Sequence, residues 1–156
     1  MRKSALTAAA AGALLLSACT MMGGIAPGIR PEAEIAGITL AVHGGEPGFN
    51  VALLLRHHGS QPLTAQGLRI DIMMNGRSAA SQERDLSTEV PGGEELPLNI
   101  FVPANQLSPL GRESLATTRM LIVELSAAAT VFFDGDDPHS SLNPTASFDG
   151  VAGYEL

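Results

Sequence analysis

A chain of 156 residues with one cysteine is sized for a single domain held by an apolar core, with no disulfide available within it. A formal net charge of −7, with the arginines scattered, excludes the electrostatic footprint of a nucleic-acid binder and gives no attraction to an anionic lipid face. Lys3 is the only lysine, which excludes Schiff-base catalysis and attachment to peptidoglycan through a lysine side chain.

The first elements in chain order are a positive start, Met1-Arg2-Lys3, and then an uncharged run rich in alanine and leucine. That run is shorter than the roughly 20 residues a helix needs to cross a bilayer, so it predicts a removed signal peptide and not a retained span. It closes on Leu16-Ser17-Ala18-Cys19, which resembles the lipobox of bacterial lipoproteins at every position. The alternative is a chance cysteine behind a plain secretory signal. What the resemblance implies is cleavage before Cys19 and acylation of its thiol with chains such as palmitate. Two or more acyl chains hold a protein at a membrane durably. Cleavage would leave 138 residues, and the loss of Arg2 and Lys3 takes the formal charge to −9. Residues 19–31 then form the lipidated N-terminus and a flexible tether rich in glycine and proline.

From residue 32 the pattern is that of strands. In 34–42, Ile38, Leu40 and Val42 fall on one face at period two. The run 49–56 alternates and then becomes continuously apolar, as a central strand does. Residues 68–74 alternate cleanly, Leu68, Ile70 and Ile72 inward, Arg69 and Asp71 outward, and Asn75-Gly76 follows at once as a two-residue hairpin turn. Its partner, 77–85, is poor in β-branched residues and reads as an edge strand. Pro91-Gly92-Gly93 predicts a further turn, and 95–102 a strand with Leu96, Leu98, Ile100 and Val102 inward. Residues 103–117 suit a short helix interrupted at Pro109. A long apolar strand at 120–133, a polar loop and a last strand at 146–155 complete the chain. Turns every 8 to 12 residues predict an all-β fold. The expectation is one antiparallel β-sandwich or barrel of about seven strands, immunoglobulin- or fibronectin-III-like, with one short helix.

The order of these motifs resembles the WHy (water stress and hypersensitive response) domain, also called the type 2 late-embryogenesis-abundant domain. The residues that carry the likeness are the strand 51–56, Gln61-Pro62-Leu63, Gly67-Leu68, Asn75-Gly76 and Glu89-Val90-Pro91-Gly92-Gly93, and the match extends over roughly 31–156. Such domains commonly carry Asn-Pro-Asn where this chain has His57-His58-Gly59, and histidine caps a turn less well than asparagine. The resemblance implies a domain at 32–156 that binds or stabilises by surface contact, linked to tolerance of desiccation and other stress.

Candidate chemistry is sparse. His57 and His58 are possible metal ligands, but neighbours on a strand point to opposite faces, so solvated turn residues are the expectation. Asp134, Asp136, Asp137 and His139 form the densest acidic cluster, which lacks the spacing of a calcium-binding loop and reads as an acidic hairpin loop. Neither Gly-x-Ser-x-Gly nor His-Glu-x-x-His occurs. The expectation is therefore a non-enzyme with no catalytic residue, no metal and no cofactor. Its partners would be a membrane, through lipid on Cys19, and an envelope protein, with no nucleic acid. Thr20 is not the aspartate that retains lipoproteins at an inner membrane. In a host with two membranes the expected address is therefore the periplasmic face of the outer one. Two rivals stand beside this reading. One is a lipoprotein holding an apolar molecule between its sheets. The other is an accessory subunit of an envelope assembly, for which the outward face of 120–133 would be apolar and uncovered.

Overall fold

The alternating runs pair into seven long antiparallel strands in the computed structural model, which describes residues 30–117, 122–133 and 143–153. The strands are β1 (Glu32–His43), β2 (Glu46–His57), β3 (Leu63–Met74), β4 (Arg77–Val90), β5 (Glu94–Pro103), β6 (Val123–Phe133) and β7 (Thr145–Ala152). They form one sheet in the order β1-β2-β5 and a second in the order β4-β3-β6-β7. In constant-type immunoglobulin domains the fourth strand joins the first, second and fifth; here it pairs with β3. Of the two architectures expected, the sandwich is the one formed. The sheets stay separate and meet at a seam where the Leu40 N–H donates to the Gly153 carbonyl at 2.9 Å.

Period-two patterning explains which face each strand buries. Phe49, Val51, Leu53 and Leu55 of the central strand β2 are fully covered, and they meet Leu68, Ile70 and Ile72 of β3 and Leu125, Ala127, Ala129 and Val131 of β6. These side chains fill the space between the sheets. In β1 the period breaks. A bulge between Ile35 and Gly37 inserts one residue, so Ile35, Ile38 and Leu40 are buried together, whereas Val42 is 44% exposed. The expectation that Val42 joins the core is thus corrected: it lies at the hairpin end of β1, opposite Pro47 and beside the Gly44-Gly45 turn. In β5, Ile100 and Val102 are buried, while Leu96 and Leu98 are half-buried.

Asn75 and Gly76 both take positive φ (49° and 75°), as a type I′ hairpin turn requires. β4 is an edge strand, as expected, and longer than its alternation suggested. The loop after β5 covers part of its free edge. The Asn105 side chain accepts from Ser81 N–H at 3.0 Å and donates to the Ser81 carbonyl at 2.7 Å, and Gln106 N–H donates to the Ala79 carbonyl. Helix α1 (Pro109–Thr117) corrects the reading of Pro109 as an interruption. Proline opens this helix, where its missing N–H costs no hydrogen bond, and Ser108 Oγ accepts from Gly111 N–H at 3.1 Å as the cap. Leu115 is its buried contact.

The antiparallel order gives the sandwich two chemically different ends. One holds the start of β1, the 58–62 connection and the Pro91-Gly92-Gly93 turn. The other holds the Gly44-Gly45 and Asn75-Gly76 turns, α1, and the entry to β6 at Ile122.

Candidate functional site

Leu16, Ser17, Ala18 and Cys19 lie outside the described residues, as do Asp134, Asp136, Asp137 and His139. Two regions within the described residues concentrate polar groups: the end of β2 and the outer face of the three-stranded sheet.

At the end of β2 the two histidines diverge. His58 is exposed, 3.6 Å from Glu32. His57 points inward and is only 4% exposed, which corrects the expectation of two solvated turn residues. Its Nε2 lies 2.6 Å from the Gln61 carbonyl, which can only accept, so Nε2 carries the proton. Nδ1 is buried without a hydrogen-bond partner among the described residues. The His57 carbonyl accepts from Gly93 N–H at 2.7 Å. One residue therefore ties the 58–62 connection to the 91–93 turn, and imidazole does across four residues what a capping asparagine does locally. The opposed directions of His57 and His58 keep them from one ion. Among the described residues no group of three histidine, aspartate or glutamate side chains is placed to hold a metal.

The outer face of β1-β2-β5 is built from the positions that alternate away from the core. Cross-strand rows follow from the register: Glu34–Leu54–Pro97, then Gly37–Ala52–Asn99, then Thr39–Asn50–Phe101. Arg56 sits at one end, donating from Nε to Glu95 at 2.7 Å and from Nη1 to Glu34 at 2.8 Å. The bond to Glu95, then that to Glu34, raises the pKa of the guanidinium above its ordinary value. At the other end the His43 and Phe101 rings meet with centroids 4.4 Å apart, tilted by 43°. They come together across β2 because Gly48 lies beneath them: a β-carbon there would be 2.7 Å from Phe101 Cζ and would also strike the Val102 carbonyl.

Between these ends is an open depression of about 390 Å³ lined by Gly37, Thr39, His43, Asn50, Ala52, Asn99 and Phe101. The lining carries two amides and a hydroxyl and no carboxylate or guanidinium. The alternation pattern did not single out these residues. Their one signal was an asparagine within each of two otherwise apolar runs, Asn50 in β2 and Asn99 in β5.

The outward side chains of β6 are Glu124, Ser126, Ala128, Thr130 and Phe132, small or polar except for the half-buried Phe132. Large exposed apolar side chains collect instead at the end holding the hairpin turns and α1: Val42, Met73, Leu110 (73%), Ile122 (79%) and Val151 (62%).

No family model matches the chain, and no curated protein matches it in sequence. Solved structures do match in fold. The solution structure of a protein assigned to the late embryogenesis abundant (LEA) proteins superposes with a TM-score of 0.61 at 16% identity, over 92% of this chain and 83% of that one. This is a LEA-type fold. A protein from Archaeoglobus fulgidus has a TM-score of 0.53 at 14% identity, over 77% of this chain and 95% of its own. The AT1g01470 protein from Arabidopsis thaliana also has a TM-score of 0.53, at 13% identity, over 78% and 79% of the two chains. The resemblance read from the order of turns is thus borne out at the level of the LEA-type fold.

Proposed function

We propose that this protein is a lipid-anchored module of the cell envelope that works without catalysis, binding or shielding other molecules by surface contact during desiccation or related stress. The observation that carries the reading is the polarity of the sandwich. β1 begins at one end, and the exposed Val42, Met73, Leu110, Ile122 and Val151 lie at the other. Lipid on Cys19 and a tether at 19–31 would hold the first end near the membrane, within roughly 20 Å for a flexible chain of that length. The apolar side chains would then point away from it, toward clients. In a host with two membranes this would be the periplasmic face of the outer one. The LEA-type fold supports the link to stress. The rival with an apolar ligand between the sheets finds that space filled by Phe49, Leu53, Leu68 and Ile70.

The outward face of β6 lacks the apolar surface expected of an accessory subunit of an envelope assembly, but the same exposed side chains offer one at the α1 end and keep that as the second reading. The test has two parts. Cells carrying wild type or Cys19→Ser are labelled with an alkyne fatty acid and fractionated, then dried and plated. Label and membrane association on the wild type alone, with drying survival lost in Cys19→Ser, is the expected result. An unlabelled, soluble wild type would overturn the anchor. Normal survival, together with a single stoichiometric partner in envelope crosslinks, would replace shielding with the accessory-subunit reading.

A further inference from the structure

We infer that the depression on the outer face of the three-stranded sheet is a binding site for a neutral carbohydrate. Its polar groups point to that chemistry. Asn50 and Asn99 offer amides that both donate and accept, and Thr39 adds a hydroxyl with the same two capacities. Sugar hydroxyls likewise donate and accept at once. Neither amide nor the hydroxyl has a hydrogen-bond partner among the described residues, so all three are available to a ligand.

The register sets the spacing. Thr39 and Asn50 are direct cross-strand neighbours, as are Asn50 and Phe101, while Asn99 lies one row away beside Ala52. Direct neighbours have β-carbons roughly 4.5–5.5 Å apart and diagonal ones roughly 7–8 Å, a range that spans hydroxyls on one pyranose or on two linked ones. Gly37 and Ala52 keep the floor low. The His43–Phe101 ring pair walls one side, giving the C–H face of a sugar an apolar surface.

Other ligand classes fit less well. An anion meets no arginine or lysine in the lining, Arg56 at the end of the face is held by Glu95 and Glu34, and the one imidazole there, His43, packs against the Phe101 ring. A cation meets no carboxylate. An apolar ligand would cover both amides without bonding them. An extended peptide bonds through its backbone at a sheet edge, whereas this depression lies over the central strand β2, whose backbone is paired on both sides.

The site can be filled without disturbing the fold. A β-carbon on Gly37 meets no atom within 4 Å, so Gly37→Val projects into the depression and not into the protein. The test uses the full-length protein in a detergent without a sugar headgroup, titrated with maltohexaose, cellohexaose and the hexamer of N-acetylglucosamine. An uncharged alanine-serine hexapeptide is the comparison. Side-chain amide signals of Asn50 and Asn99 are followed by NMR and affinity by calorimetry. At least one sugar should shift both signals saturably. Its affinity should fall about tenfold or more in Asn50→Ala with Asn99→Ala, and also in Gly37→Val, while melting is unchanged. The proposal is overturned if no sugar shifts either amide, if both variants bind as wild type does, or if the peptide binds more tightly than every sugar.

Discussion

Alanine at Gly92 is expected to destabilise the domain more than asparagine at the adjacent Gly93, although both glycines belong to one turn. The reasons differ. At Gly92 a β-carbon would strike the Gly59 carbonyl oxygen and lie 2.8 and 2.9 Å from the Ser60 carbonyl carbon and oxygen. All three are backbone atoms, so no side-chain rotation relieves the clash. The 58–62 connection would have to move, and it is held by His57 Nε2 on the Gln61 carbonyl and by Gly93 N–H on the His57 carbonyl. Overpacking of this kind costs about 1–3 kcal/mol. Gly93 is a different case: its β-carbon would meet nothing within 4 Å, but its φ of +75° is a region that asparagine tolerates better than other side chains. Gly93→Asn should therefore cost under about 1 kcal/mol. For a domain of this size each kcal/mol corresponds to roughly 3–6 °C of melting temperature. Gly92→Ala should then melt roughly 3–18 °C below wild type, with an unchanged urea m-value. Thermal and urea unfolding of the two variants decide the matter. Gly92→Ala melting with wild type, or above Gly93→Asn, would refute the packing argument.

Three further outcomes follow from the same geometry. His57→Ala should cost about 1–3 kcal/mol in urea unfolding, while His58→Ala stays within about 0.5 kcal/mol; His57→Asn should recover part of the loss if the role is capping. Because the β1 bulge turns Ile35 inward, while Val42 lies at the exposed hairpin end of the strand, Ile35→Ala should cost about 2–4 kcal/mol and Val42→Ala under about 1 kcal/mol, and equal losses would contradict this placement. Asn105→Ala should lower stability by about 1 kcal/mol and speed hydrogen exchange at Ser81, with concentration-dependent association by light scattering as the β4 edge opens.

Much of the fold is legible in the sequence because its signals are local. In β3, Leu68, Ile70 and Ile72 alternate with Arg69 and Asp71, and Asn75-Gly76 is one of the few dipeptides that accepts positive φ twice. Strand, inward face and hairpin are therefore written within a dozen residues. The turn order that suggested a LEA-type fold is a chain of such local signals. In β1 the same logic fails, because a bulge shifts the period by one and no single residue announces it.

His57 illustrates the second limit. Whether a histidine at a strand end is wet or covered depends on what packs over it, and here that is a connection at 58–62 and a turn at 91–93, far apart in the chain. Pro109 is equally ambiguous by itself: proline breaks a helix or opens one, and the Ser108 cap together with the burial of Leu115 selects the opening.

Locally encoded backbone preferences and period-two burial thus suffice for the strands, the turns and the class of fold. The assignment of β4 to the sheet of β3, the meeting of His43 and Phe101 above Gly48, and the row that sets Thr39 beside Asn50 and Asn99 belong to the tertiary structure alone. Each depends on which strands become neighbours, and that is settled by the joint burial of side chains far apart in the chain, which no local window contains.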